Sequence, residues 1–352
     1  MLQARYAPYR LYFKEPSGTS RGVLTYKDTY FVQVWDSDDS SRVGWGECAL
    51  FKGLGSDDDP RYEAVLAHAC GTIGDCEPDE FLSRLGAWSS LRFGFETALQ
   101  NLAGWRDYPS MFGSGGQSIT INGLVWMGDC ETMLRRMEEK LQAGFRCIKL
   151  KIGAIDFDAE LRLLAAVRAR FDRSQVELRV DANGAFTPQN ALSKIEKLAR
   201  YDLHSIEQPL PAGYPAEMAR LCAASPVAVA LDEELVAYRE VTSDGADRLL
   251  DEIRPRYIVL KPSLVGGFAG ASCWMRAARE RGIGWWITSA LESNVGLEAI
   301  ARYTASFHPV MPQGLGTGAL YTNNIPSPLR LEGEKLAYDS QGAWHYPELV
   351  WR

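Results

Sequence analysis

The sequence predicts an α/β chain in which a (β/α)8-type barrel follows a smaller α+β unit. Short apolar strands recur roughly every 25 to 31 residues from Ser118 onward, each followed by a helical stretch, which is the period of a βα unit in a closed barrel. These apolar runs stop repeatedly at carboxylates or lysines, as expected of strands whose carboxyl ends carry chemistry. The chain before them lacks the alternation and places its strands first and its helices after.

Residues 6–35 read as YAPYRLYF and YFVQVWD, separated by the loop PSGTSRG and a short strand VLTY, a meander. DSDDSS from Asp36 lacks the glycine and terminal glutamate of a calcium loop and reads as a hairpin turn before VGWGECAL. A glycine and acid loop, Phe51–Asp59, leads to helical patterns from Pro60 to about Trp105. The Gly, Ser and Pro rich stretch Tyr108–Gly116 marks the domain boundary, giving 1–115 and 116–325, with a tail 326–352 expected to pack back on the first unit. Barrel strands are expected at SITINGLV, RCIKLKIG, VELRVDA, HSIEQP, VAVALDE, YIVLKP, GWWITSA and the weaker PQGLG, with an amphipathic helix from about Asp129 to Gly144 after the first.

A net charge of −7 with no basic run disfavours a nucleic-acid partner. The amino terminus has no apolar core suited to a signal peptide, and no stretch approaches a membrane span, so the expectation is a soluble, cytoplasmic protein without a membrane partner. Seven scattered cysteines without a Cys-x-x-Cys pair read as reduced thiols. Four histidines, none paired at ligand spacing, argue against zinc and against a His-centred triad, so any catalytic metal must be held by oxygen.

The strand Arg146–Gly153 organises the chemistry. Strand side chains alternate, so Lys149 and Lys151 share one face of an otherwise apolar strand. Two adjacent ammonium groups repel, which is expected to lower the pKa of at least one and to make a lysine base. Lys-x-Lys alone reads more readily as an edge strand with solvated lysines. Later strand ends change the balance: Asp181 with Asn183, Glu207, Asp232 with Glu233 and Glu234, Lys261, then Ser289 with Glu292. One carboxylate from each of three consecutive strands makes an oxygen ligand set suited to magnesium or manganese. A single such acid could instead cap a helix or pair with an arginine, but three in register between lysine-bearing strands converge on one site. Arg179, two residues before Asp181, should point inward and form an ion pair.

The order Lys-x-Lys, Asp-x-Asn, Glu-Gln-Pro, Leu-Asp-Glu, Leu-Lys-Pro and Ser-Ala-Leu-Glu-Ser resembles the enolase superfamily, in its muconate lactonising enzyme branch, over nearly the whole chain. The resemblance implies a modified, enolase-like barrel and makes the first unit a capping domain whose loops close over the barrel mouth. It implies Lys151 as general acid/base, Lys149 as the neighbour that tunes it, Lys261 on the opposite face of the substrate, and Asp181, Glu207 and Asp232 as ligands of Mg2+ or Mn2+. Glu233 is the adjacent rival to Asp232, and the family pattern favours Asp232. Ser289 resembles a position that holds a substrate carboxylate, and the glycine-rich Gly314–Gly318, through Gly314 and Gly316, would offer N–H groups to the same anion or simply form a tight turn. Asn183 belongs to the same substrate end, and Arg21 with Phe51–Gly55 would be lid elements. Within the branch, the motifs are closer to members that dehydrate a succinyl-bearing cyclohexadiene carboxylate than to racemases of N-acylamino acids or dipeptide epimerases. A non-catalytic binder of small acids is the reading from another class, against which the paired lysines argue. The expected partner is a small-molecule carboxylate, with homo-oligomer formation left open.

Overall fold

The computed structural model describes residues 1–19, 22–126 and 128–352. The chain begins with an antiparallel sheet in the order β1-β2-β3, formed by β1 (Leu2–Thr19), β2 (Gly22–Asp36) and β3 (Asp39–Cys48). The meander is simpler than expected. Within PSGTSRG, residues 16–19 extend β1 and Gly22 opens β2, and the two strands stay paired past a register shift between Tyr12 and Ser17, so that Ser17 stands opposite Leu24; Ser20 and Arg21, between the strands, lie outside the described residues. A bulge absorbs the extra residues and ladder pairing resumes beyond it, which outweighs the loop-like composition. DSDDSS forms the turn into β3, with the Asp36 carboxylate accepting the Asp38 N–H at 3.0 Å.

Helices α1 (Tyr62–Thr72), α2 (Pro78–Arg84) and α3 (Ser89–Ala103) cover one face of this sheet around Val32, Val34, Leu66, Phe81 and Phe95. Two glycines of β3 allow the closest approach. A Cβ on Gly46 would lie 1.9 Å from the Gly94 carbonyl, and one on Gly44 2.0 Å from that of Ala98, so α3 rests directly on the strand backbone. The other face carries Phe31 and Trp45, against which the tail residues Trp344, Tyr346 and Trp351 pack; Trp45 stacks on Tyr346 at 3.7 Å.

After the short β4 (Ile119–Thr120), seven parallel strands follow: β5 (Gly123–Val125), β6 (Cys147–Lys151), β7 (Glu177–Asp181), β8 (Ser205–Glu207), β9 (Val229–Leu231), β10 (Tyr257–Leu260) and β11 (Gly284–Ile287). Each lies beside its sequence neighbour. Between them run α4 (Cys130–Gln142), α5 (Phe157–Arg168), α6 (Ala191–Leu198), α7 (Pro215–Ala224), α8 (Glu233–Val236) with α9 (Ser243–Ile253), and α10 (Gly267–Glu280); α11 (Asn294–Ala305) follows the last strand. Their apolar faces and the strands share one large core.

Two strands depart from expectation. SITINGLV splits: β4 pairs with the tail hairpin β12 (Leu329–Glu332) and β13 (Lys335–Tyr338), and only β5 joins the barrel. PQGLG closes the barrel by one residue on each side, Gln313 bridging Ile121 and Gly314 bridging Thr288. Pro312 has no N–H to extend this ladder. A Cβ on Gly314 would fall 2.2 Å from Thr288 Oγ1, so close apposition here requires glycine. Among the described residues, no helix is long and apolar enough to cross a membrane.

Candidate active site

The parallel register sets the strand-end residues in a row. Lys151 pairs with Asp181 across β6 and β7, and Asp181 with Glu207 across β7 and β8. Asp232 follows β9 directly and Lys261 follows β10, continuing the ring. Asp181, Glu207 and Asp232 are each at most 1% exposed. The barrel thus brings together all six residues expected for metal and proton chemistry.

Lys149 Nζ lies 3.0 Å from Asp181 Oδ2 and 3.0 Å from each Glu207 carboxylate oxygen. Lys151 Nζ lies 3.1 Å from Asp181 Oδ2 and donates to Asn183 Oδ1 at 2.6 Å. On the other arc, Lys261 Nζ meets Asp232 Oδ2 at 2.5 Å. Asn183, with a left-handed φ of 44°, donates its amide to Glu233 Oε1 at 3.0 Å, which orients its oxygen toward Lys151.

The repulsion expected to free a lysine base does not govern Lys149. Burial works against its charge, but the attraction of Asp181, Glu207 and Asp232 prevails and holds the ammonium above its ordinary value. Lys261 is treated alike: burial lowers it, Asp232, Glu233 and Glu207 raise it, and it ends at about 12. Burial also opposes the charge of Asp181, yet Lys149, Lys151 and Lys261 pull its carboxyl well below the usual range. Glu207 goes the other way: burial and the neighbouring Asp181 and Asp232 push it up despite Lys149.

Among the described residues, no three Asp, Glu, His or Cys side chains stand grouped as a ready-made metal cage. The donor set nevertheless fits a hard divalent cation. It is all oxygen, burial together with the charges of Asp181 and Asp232 raises Glu207, and the buried Asp232 Oδ1 and Glu233 Oε2 have no hydrogen-bond partner among the described residues.

A cavity opens above the ring. Lys151, Asp181, Asn183, Glu233, Lys261, Ser289, Gly314 and Gly316 line it, with an apolar wall of Phe51, Leu54, Leu124, Trp126 and Leu291. Phe51 and Leu54 belong to the expected lid loop of the first unit; Arg21 lies outside the described residues. The anion nest needs correction at one residue: the Gly314 N–H is spent on the Ile287 carbonyl at 2.8 Å, because that bond closes the barrel. Ser289 Oγ pairs with Thr317 Oγ1 at 2.6 Å at the cavity edge. Arg179 is fully buried, paired with Glu177 at 2.7 Å and stacked over Trp286 at 4.4 Å, and it does not line the cavity.

Sequence reasoning missed Leu124, Trp126 and Leu291 of the apolar wall and the polar neighbours Asn122 and Thr288. Trp126, whose ring lies 5.9 Å from Lys151 Nζ, was within reach of it: Leu124 and Trp126 alternate along the first barrel strand as Lys149 and Lys151 do along the second.

A family model described as Enolase C-terminal domain-like matches residues 132–344. The chain is 45% identical to an o-succinylbenzoate synthase of Desulfotalea psychrophila, over 94% of this chain and 98% of that one. It superposes on the crystal structure of MenC from the same organism with a TM-score of 0.82 at 43% identity, covering 96% and 99% of the two chains. A dipeptide epimerase from Cytophaga hutchinsonii, solved with Mg and the dipeptide D-Ala-L-Val, superposes with a TM-score of 0.84 over 99% and 97%, but at 19% identity that likeness concerns the fold alone. A ring of barrel strand ends, a matching domain model and a full-length relative agree, and the chain belongs to the enolase superfamily.

Proposed function

We propose that this chain is a metal-dependent o-succinylbenzoate synthase, a hydro-lyase that removes water from 2-succinyl-6-hydroxy-2,4-cyclohexadiene-1-carboxylate, a cytoplasmic step of menaquinone biosynthesis. The observation that carries it is the placing of Lys151 and Lys261 on opposite arcs of one cavity with buried carboxylates between them. The full-length relative of that name supports the choice of reaction.

The proton next to a carboxylate is too weakly acidic for an amine to remove in water. Asp181, Glu207 and Asp232 would hold Mg2+, for which Mn2+ would substitute, and when bound it supplies positive charge at the substrate carboxylate. Lys151, steered by Asn183 and Asp181, takes the proton alpha to the ring carboxylate. The C–O bond then breaks, the same ammonium returns the proton to the departing hydroxide on the same face, and the ring becomes aromatic. Lys261 faces the other side of the ring and favours the developing negative charge by its own charge and by cation–π attraction. The apolar wall keeps water from the ring, while Ser289 and Gly316, which line the same cavity, would take the succinyl carboxylate. Residues 1–115 with 326–352 act as the cap and 116–325 as the catalytic barrel. The tail packing against Trp45 supports that division.

Absorbance of the aromatic product, followed from the cyclohexadiene substrate with magnesium present, tests the reading directly. Turnover supports it. Exchange of substrate protons with solvent but no dehydration would replace it with a racemase or epimerase, and neither would leave a binder.

A further inference from the structure

One cluster of buried charge takes no part in this chemistry. Residues 27, 29 and 31 share a face of β2, and Glu47 on β3 stands opposite Phe31, so Lys27, Thr29 and Glu47 all leave the capping sheet on one side. That side meets the start of α11, where Phe31 packs on Val295. Glu47 is fully buried, and its carboxylate gathers Thr29 Oγ1 at 2.9 Å, the Ser293 N–H at 3.0 Å, Ser293 Oγ at 2.5 Å and the Gly296 N–H at 3.0 Å. A carboxylate from one unit thus occupies the N-terminus of a helix in the other, where backbone donors and the helix dipole favour an anion. Only glycine fits at 296, since a Cβ there would lie 2.9 Å from Glu47 Oε2.

Next to it Glu292, also fully buried, accepts from Ser263 Oγ at 2.5 Å and from the Ala290 N–H at 2.6 Å. Lys27 Nζ is buried with no hydrogen-bond partner among the described residues. Its ring neighbour is Phe51 at 5.9 Å, and burial depresses its pKa against the attraction of Glu47 and Glu292. The segment held between these two carboxylates supplies Ser289, Ala290 and Leu291 to the cavity, and Phe51 faces it from the cap.

We propose that Glu47 and Lys27 are positioning residues that, from the capping sheet, fix the 289–293 segment and so set the Phe51–Leu291 wall of the substrate cavity. Glu47 does this by direct hydrogen bonds, and Lys27 by balancing the two buried carboxylates behind the wall. The assignment rests on the cavity being the substrate site.

Glu47→Gln, Lys27→Met and the milder Thr29→Val, which removes one donor to Glu47, test it by steady-state kinetics and amide hydrogen exchange on the full chain. Glu47→Gln and Lys27→Met should each raise KM about tenfold, the scale of a lost charged hydrogen bond, with kcat within about twofold. Amides of Ala290, Ser293 and Gly296 should exchange faster while those of β7 keep their protection. Thr29→Val should shift KM in the same direction by less. Unchanged KM and unchanged local exchange would overturn the proposal, as would a uniform loss of protection with kcat and KM both altered, which marks a merely structural role. If the first two variants do not fold, Thr29→Val decides alone, and no rise in KM counts against it. If the parent does not dehydrate the cyclohexadiene substrate, the functional reading falls by itself, and faster exchange confined to 290–296 still separates a latch from none.

Discussion

Lys151 and Asp181 are register partners across β6 and β7, and the same carboxylate oxygen that lies 3.1 Å from Lys151 Nζ lies 3.0 Å from Lys149 Nζ. Both lysines line the cavity, but their remaining partners differ. Lys149 is clamped by Glu207 as well, whereas Lys151 turns to Asn183. Their neighbours thus set the two apart: one ammonium is held by two carboxylates, the other by one carboxylate and an amide oxygen.

Lys151→Ala should remove both dehydration and proton exchange, with dehydration falling by about 10²–10⁴-fold, the usual worth of a general base. Lys261→Ala should slow dehydration but keep some exchange at Lys151. Lys261→Arg should not restore activity, since a planar fork replaces a compact ammonium. Exchange read by NMR and dehydration by absorbance check this, and dehydration near the parental rate in Lys151→Ala would refute the mechanism.

Asp181→Asn, Glu207→Gln and Asp232→Asn should each weaken magnesium binding measured calorimetrically, and a chelator should abolish turnover until magnesium is restored. Glu233→Gln should matter less than Asp232→Asn if, as the family pattern implies, Asp232 is the third ligand; each of the two keeps one buried oxygen without a partner among the described residues. The reverse order would make Glu233 the third ligand.

Gly314→Ala should cost about 1–3 kcal/mol of stability, as overpacking does, because its Cβ would strike Thr288 where the barrel closes. Gly316→Ala meets Ile121 Cδ1 at 3.5 Å and the Asn122 carbonyl at 3.8 Å, both ordinary contacts, and should leave stability nearly unchanged. Denaturant unfolding of both variants distinguishes them; equal stability would mean that closure at Gly314 tolerates the clash.

Asp57 is a pH-dependent liability. Burial raises its carboxyl above the ordinary value despite hydrogen bonds from Ser90. The folded state binds that proton more tightly than the unfolded one, so this contribution is full below the unfolded pKa and is lost as pH rises through the raised folded pKa. Asp57→Asn, which cannot ionise, should therefore gain stability relative to the parent between about pH 4 and pH 7. Unfolding curves at the two pH values test the sign, and a constant difference would show that Asp57 is not shifted.

Much of the site was legible because two periodicities suffice to place it. Alternation along a strand puts Lys149 beside Lys151, and the rule that barrel chemistry lies at strand carboxyl ends selects Asp181, Glu207, Asp232 and Lys261. Neither step needs distant contacts. The same local logic recovered β6 to β11 and the turn at Asp36, but it failed at PSGTSRG and SITINGLV, where pairing with a partner strand overrides composition.

By itself, then, the sequence determined the order of strands, the residues at their ends and the oxygen-only character of the donor set. Tertiary structure alone decided which lysine is clamped, because the fields of Asp181 and Glu207 outweigh the repulsion within Lys-x-Lys only once β7 and β8 lie alongside. It also decided that the Gly314 N–H closes the barrel and that Glu47 caps a helix almost 250 residues away. Charge balance and hydrogen-bond partners depend on neighbours brought together from far along the chain, and a one-dimensional pattern carries only the residues that meet, not the meeting.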